Sequence, residues 1–277
     1  MKRLILCALC LCSFIVMIQA QAIRQDDPEL KKIDVVEHIG DQIPMDLTFT
    51  DEDSNHVSLD KYFADEKKPV ILTLVYFNCP MLCNYLLNDL VQELQKMPWK
   101  PGDEYKILTI SINPTEKPSL ARAKKENYLT SLNKPGSEAG WSFLTGKESQ
   151  IKKIADAVGF KYYYDEKSKT YAHPAVLTIL TPGGKISRYL YGLTHKVQDV
   201  KLALVEASEG KLGTTTDRLL LYCFHYDPNA RGYVLFAGNV MRVGGIIALI
   251  LVGVFLLILW KKDNKFIFYR LKSTGTK

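Results

Sequence analysis

The feature that most restricts this chain is an apolar run, Val70 to Phe77, that ends at Asn78-Cys79-Pro80 and passes straight into a segment with helical spacing. An unbroken apolar stretch of this length, bounded by polar residues, reads as a strand buried on both faces. After it, Leu82, Tyr85, Leu86, Asp89 and Leu90 recur at helix-turn intervals. Pro80 suits the first turn of that helix, where its missing N–H would have no partner anyway. Cys79 and Cys83 therefore sit at a strand-to-helix elbow. A side chain in the first turn leans towards the helix N-terminus, which points Cys83 at Cys79. The positive end of the helix and its open N–H groups favour thiolates there. Two such thiols can carry out redox chemistry or hold a soft metal ion.

Charge and cysteine usage narrow the surroundings. The net charge is +6, of which +5 lies in residues 261–277 and +2 in Lys2 and Arg3, so the body carries about −1. A near-neutral body excludes nucleic-acid binding as the meaning of the high pI. Of six cysteines, Cys7, Cys10 and Cys12 lie in an N-terminal apolar segment, leaving Cys79, Cys83 and Cys223. An odd number argues against a disulfide-stapled scaffold. Residues 1–22 have the three parts of a secretory signal: Lys2-Arg3, an apolar run from Leu4 to Ile18, and a small-residue end at Gln19-Ala20-Gln21-Ala22. We read them as a cleaved signal; the alternative is an uncleaved anchor. Val243 to Trp260 holds eighteen residues without a charge, which at about 1.5 Å each nearly crosses a ~30 Å hydrocarbon core. Lys261-Lys262 then predict a cytoplasmic C-terminus. The expected topology is a domain outside, one span and a short basic tail inside.

Between these segments the pattern alternates β and α. Ile43 to Thr50 alternates like a half-buried strand, and Tyr105 to Ile112 reads as a second buried strand. Asn113-Pro114-Thr115 marks a turn, Ser119 to Leu132 a helix, and Trp141 to Gly146 a short strand. Lys147 to Val158 is an amphipathic helix with Ile151, Ile154, Ala155 and Val158 on one stripe, closed by Gly159. Glu166 to Thr170 is a polar loop. Ala175–Leu180, a Thr181-Pro182-Gly183-Gly184 turn and Lys185–Tyr191 form a hairpin, and Val197–Ser208 a last helix. This order predicts an α/β, three-layer, thioredoxin-like fold with a mixed central sheet. The divisions are 1–22 signal, 23–34 linker, 35–210 domain, 211–242 juxtamembrane segment, 243–260 span and 261–277 tail.

Two thiolates need a further donor to make a metal site. Among five histidines, His38 and His56 sit in polar surroundings and read as solvated, and His195 after the hairpin reads as surface. His173 stands in Tyr171-Ala172-His173-Pro174 directly before a core strand, where the loop of a thioredoxin-like sheet would face the cysteine helix. A proline at that position of a thioredoxin-like sheet is usually cis. A second constellation, Cys223-Phe224-His225, puts sulfur and imidazole on one side of an extended segment. It is a candidate auxiliary metal site; the alternative is an aromatic juxtamembrane belt with an incidental thiol. Tyr76, Phe77 and Met241 read as packing residues.

The stretches VYFNCPMLCNYLL (75–87), ILTISINPTEKP (107–118), LTGKESQIKKIADAVG (144–159) and His173 with LTPGGKISRYLYG (180–192) resemble the Sco/SenC family over residues 35 to 208. The family's members are membrane-anchored, thioredoxin-fold copper chaperones of cytochrome oxidase assembly, and a bacterial branch carries its anchor C-terminally. The resemblance implies that Cys79, Cys83 and His173 bind copper, Cu(I) or Cu(II), for a copper-receiving subunit of a terminal oxidase. The chain departs from the family at two carboxylates: Ala172 stands where an aspartate often precedes the histidine, and Asn113 where one often precedes the turn proline. A thiol-disulfide oxidoreductase, with Cys79 attacking and Cys83 resolving, is the other function open to these residues. A peroxidase of this fold would want a Thr-x-x-Cys pocket that residues 78–83 lack.

Overall fold

The computed structural model describes residues 33–63, 68–79, 82–209, 221, 224–227, 232–235 and 237–273. The expected signal, Pro80, Met81 and Cys223 lie outside them, as do the side chains of Cys83 and His225. The chain divides into two units, residues 1–212 and 213–277.

The first unit is built on a five-stranded sheet. A small hairpin, β1 (Thr48–Thr50) with β2 (His56–Ser58), and a helical turn, α1 (Asp60–Phe63), come first. The sheet then takes β3 (Val70–Val75), helix α2 (Leu82–Lys96), β4 (Lys106–Ser111), helix α3 (Pro118–Leu132), β5 (Trp141–Leu144) and helix α4 (Glu148–Ala157). A second hairpin, β6 (Tyr163–Asp165) with β7 (Thr170–Ala172), precedes β8 (Val176–Leu180), β9 (Ile186–Tyr191) and helix α5 (Val197–Ala207). The sheet order is β5-β4-β3-β8-β9, parallel among β5, β4 and β3 and antiparallel from β3 through β8 to β9. This is the thioredoxin-like mixed sheet that the sequence predicts.

The central strands are apolar throughout because both faces are covered. All six residues of β3 and all five of β8 are buried. Two of the polar exceptions pair with each other: Thr73 Oγ1 donates to Thr109 Oγ1 (2.9 Å), which also accepts from Trp141 Nε1 (2.9 Å). Helix α2 buries Leu86, Leu87, Leu90, Val91 and Leu94 and exposes Tyr85. Lys134 donates to the carbonyls of Leu94, Met97 and Trp99 (2.6, 2.5 and 2.7 Å), tying off the end of α2. Helix α4 buries the expected stripe, and Gly159 follows at φ +63° with a Cβ direction blocked by the Val36 carbonyl. Only glycine accepts both that φ and that contact.

Two details differ from the sequence reading. Residues 166–170 do not simply loop: Asp165 accepts from the Lys167 N–H and the Ser168 hydroxyl, and the resulting turn lets Thr170–Ala172 pair back on Tyr163–Asp165. All peptide bonds among the described residues are trans, His173–Pro174 included; an X–Pro bond prefers trans by about 0.5–1 kcal/mol when nothing forces the other form.

The second unit contains a hairpin, β10 (Phe224–Asp227) with β11 (Gly232–Leu235), and a single long helix, α6 (Ala237–Ser273). Met241–Ile258 has a mean hydropathy of 2.6 and none of it is buried, so it is long and apolar enough to cross a membrane. Helix α6 does not stop at Trp260. No glycine or proline follows until Gly275, and Lys and Arg suit the C-terminal end of a helix.

The tyrosines of the first unit make its stability sensitive to alkali. Burial pushes the phenols of Tyr189 and Tyr162 from their ordinary 10.0 up to about 12, and raises those of Tyr62, Tyr105 and Tyr171. A folded value above the unfolded one adds stability that is complete below the unfolded value and is lost as pH rises through the folded one. Thermal melts followed by circular dichroism should therefore show a midpoint insensitive to pH just below 10 and falling between pH 10 and 12. Tyr189 donates to the Val158 carbonyl (3.1 Å) and accepts from the His38 N–H (3.2 Å). Tyr189→Phe should lose about 1 kcal/mol at pH 7 and show a shallower alkaline fall.

Candidate metal centre

The topology brings three chain segments to one edge of the sheet. Strands β3 and β4 are parallel, so both end there, β3 at Phe77-Asn78-Cys79 and β4 at Ile112-Asn113-Pro114. Strand β8 is antiparallel to β3 and begins there, so His173 and Pro174 arrive at the same edge.

Cys79 is buried, 6% exposed. Its N–H donates to the Tyr76 carbonyl (3.3 Å), and its carbonyl accepts from Asn84 Nδ2 (3.0 Å) in the first turn of α2. Asn84 is held in turn from α3, its Oδ1 accepting from Lys124 Nζ (3.2 Å) and the Tyr128 hydroxyl (3.3 Å). Cys83 is the second residue of α2, where the helix field favours a thiolate.

His173 is equally buried, 6% exposed. Its Nδ1 lies 2.9 Å from the Pro174 carbonyl. A carbonyl only accepts, so Nδ1 carries a proton; in the neutral ring this leaves the lone pair on Nε2, the tautomer that a metal ligand needs. Two rings orient the imidazole: Phe160 stacked at 5.9 Å and Tyr76 edge-on at 6.0 Å. Tyr76 thus stands against His173 through its ring and against Cys79 through its backbone. Phe160 owes its place to the Gly159 turn. Tyr76 and Phe77 are core residues, as expected, at 7% and 2% exposed.

Around this centre stands a tyrosine cluster. Tyr171 meets Tyr76 (5.5 Å), Tyr162 (6.1 Å) and Tyr164 (5.1 Å). Burial, then the neighbouring Tyr171 and the acidic Glu148 and Asp156, lift the Tyr162 phenol to about 12; burial and Tyr164 raise that of Tyr171. Both phenols stay protonated at neutral pH, so the donors suited to a metal are sulfur and imidazole, a soft set that fits Cu(I). Among the described side chains no three of His, Cys, Asp and Glu form a cluster; Cys83 is not among them. A cleft of about 550 Å³, lined by Tyr76, Asn78, Asn113, Thr115, Tyr164 and Tyr171, opens beside the cysteine loop.

The other histidines divide differently from expectation. His56 is exposed, with Nδ1 3.3 Å from Thr50 Oγ1. His38 is half-buried instead of solvated, its Nδ1 3.0 Å from the Ala157 carbonyl. The His195 side chain is 3% exposed, not on the surface. Its N–H and its Nδ1 both engage Asp89 Oδ2 (2.8 and 2.9 Å), because the loop after β9 folds over α2. The sequence placed Asp89 only as a helix-face residue. Of the auxiliary pair, Cys223 lies outside the described residues and His225 is placed only by its backbone, in β10 opposite Val234.

Residues that the sequence reading missed are Glu116 and Asn84. Glu116 Oε2 accepts from the Phe77 N–H (2.8 Å) and the Ser111 hydroxyl (2.6 Å), and Oε1 accepts from the Asn78 N–H (2.7 Å). Asn113 Oδ1 takes the Thr115 N–H (3.0 Å) and hydroxyl (2.8 Å), an Asx turn that swings Glu116 under the cysteine loop. An acidic residue just before a helix normally reads as a complement to the helix dipole, which concealed this role.

Removing the Asp89 carboxylate should leave the buried imidazole of His195 without its acceptor. Asp89→Ala is expected to lower unfolding free energy by about 1–3 kcal/mol in urea titrations.

Comparisons with known proteins identify the family of the domain. Residues 38–205 match the SCO1/SenC family. No curated protein matches in sequence. Among solved structures, a protein from Aquifex aeolicus VF5 proposed for electron transfer superposes with a TM-score of 0.54 at 23% identity, covering 61% of this chain and 94% of that one. Arabidopsis thaliana ScoI with copper bound gives 0.47 at 18% identity, covering 62% and 98%. BsSco, described as a member of the Sco family of cytochrome c oxidase assembly proteins with a disulfide switch, gives 0.44 at 20% identity, covering 64% and 97%. With the family match spanning more than half of its length, and with the cysteine elbow and His173 inside that span, this chain belongs to the SCO1/SenC family.

Proposed function

We propose that this protein is a copper chaperone that holds the ion with Cys79, Cys83 and His173 and delivers it to the dinuclear copper centre of a cytochrome c oxidase-type terminal oxidase during assembly. The observation that carries the reading is that Cys79 and His173 both lie against Tyr76, one through its backbone and the other through its ring, with the His173 Nδ1 donating to the Pro174 carbonyl. Family membership supports it. The copper ion is cargo here, bound and passed on. Cu(I) accepts two thiolates and one imidazole in a near-trigonal set, and a further weak ligand adapts the same set to Cu(II). Loading requires both thiols reduced and deprotonated, so copper and a disulfide compete for the same sulfurs. That competition keeps the thiol-disulfide oxidoreductase reading as the second function of the pair.

In this proposal residues 1–22 export the domain, α6 spans the bacterial cytoplasmic membrane once, and the basic tail stays in the cytoplasm. The anchor confines the copper centre to the membrane that holds its client, the copper-receiving subunit of the oxidase. The cleft beside the cysteine loop gives that client access to the ion. Cys223 and His225 serve as an auxiliary copper site near the bilayer.

Anaerobic Cu(I) titration of the reduced full-length protein in detergent tests the main centre. Wild type should bind one ion tightly and His173→Ala should lose at least tenfold in affinity while keeping thiol-disulfide exchange; equal weak binding by both would leave the dithiol alone as the active group. The auxiliary site is tested separately by copper stoichiometry in a Cys79→Ser, Cys83→Ser double variant, where no residual copper would remove Cys223 and His225 from the proposal.

A further inference from the structure

The cysteine loop is held by a carboxylate that no ligand set includes. We infer that Glu116 is a positioning residue for the copper centre: it fixes the backbone of Phe77 and Asn78 and thereby sets where Cys79 presents its sulfur. The inference rests on the copper-binding reading above for its function, and on geometry for its substance.

Three donors converge on one carboxylate. Phe77 and Asn78 give their backbone N–H groups to separate oxygens, at 2.8 and 2.7 Å, and the fully buried Ser111 hydroxyl adds 2.6 Å. An ionised carboxylate offers acceptor sites on both oxygens and suits this arrangement. On the far side of the same loop, Asn84 takes the Cys79 carbonyl. The cysteine loop, Phe77 to Cys79, is thus clamped between the turn that follows β4 and the first turn of α2, which carries Cys83. The Ser111 hydroxyl also accepts from the Asn113 N–H at 3.1 Å, so the clamp includes the whole turn. A loop fixed before the metal arrives does not have to be ordered at the moment of binding, and groups that orient metal ligands affect affinity by about 10–100-fold.

Glu116→Gln is the sharpest probe. A carboxamide has one oxygen and one NH₂, so either the Phe77 or the Asn78 N–H faces another donor. In reduced full-length protein, the variant should bind Cu(I) about tenfold more weakly than wild type, read by competition with a chromophoric chelator well below the unfolding temperature. Glu116→Asp keeps both oxygens and should recover part of that loss. Ser111→Ala, which removes a single donor from the carboxylate, should lose a few-fold.

A second readout does not use copper. If Glu116 keeps Cys79 close to the first turn of α2, its loss lowers the tendency of the pair to close a disulfide. The two-electron midpoint potential of the Cys79–Cys83 couple should then rise by about 30 mV for a tenfold change, measured against a glutathione redox buffer. Unchanged affinity and unchanged potential in Glu116→Gln, with only a lower melting temperature, would make Glu116 a structural residue and overturn the inference. Should wild type bind no Cu(I) through His173, the copper reading fails, while the potential shift still decides the role of Glu116.

Discussion

Strand β3 has a parallel neighbour on one side and an antiparallel neighbour on the other, and the metal centre depends on that asymmetry. The parallel neighbour, β4, ends where β3 ends and brings the Asn113–Glu116 turn to the cysteine loop. The antiparallel neighbour, β8, begins there and brings His173. Were β8 parallel to β3, His173 would stand at the opposite edge, beyond the five residues of the strand, about 16 Å away at roughly 3.3 Å per residue. No side-chain adjustment spans that distance. The direction of one strand therefore decides whether a cysteine pair acquires an imidazole.

Two kinds of interaction then divide the labour. Apolar burial holds the architecture: each large side chain that α2 buries contributes about 1.5–3 kcal/mol, and five of them are buried. The hydrogen bonds at the centre are individually smaller, about 0.5–1.5 kcal/mol net. They decide where the loop sits, not whether the domain folds. Glu116 holds the Phe77 and Asn78 N–H groups and Asn84 the Cys79 carbonyl, Pro174 engages the His173 Nδ1, and Phe160 and Tyr76 hold its ring plane. The surrounding phenols are neutral rings whose ionisation burial pushes still higher, and they shape the site by packing.

Much of this architecture is legible in the amino-acid sequence. The apolar run of β3, the stripe of α4, the Gly159 stop and the β8–β9 hairpin are local signals, because burial on two faces, helical period and turn chemistry are written into consecutive residues. Cys79, Cys83 and His173 stand out for the same reason, as chemistry-bearing residues at element boundaries. What the sequence hides depends on pairing between distant segments. Thr170–Ala172 is too short to read as a strand until Tyr163–Asp165 lies beside it. His195 reads as a surface residue until the loop after β9 closes over Asp89 on α2. Glu116 reads as a helix-entry charge until the parallel register sets its turn under the cysteine loop.

By itself the sequence determined the order and kind of the elements, the strand-to-helix elbow with its two thiols, and an apolar helix long enough for a membrane. These follow from composition and period within single segments, where nearest neighbours dictate the outcome. Tertiary structure alone decided which donors meet and in what state. It placed His173 beside Tyr76 in its ligand tautomer, buried the phenols, and put the Glu116 carboxylate beneath the cysteine loop. The physical reason is that hydrogen bonds and desolvation act over a few ångströms of space, and residues separated by about a hundred positions in the chain reach that range only once the sheet register has been set.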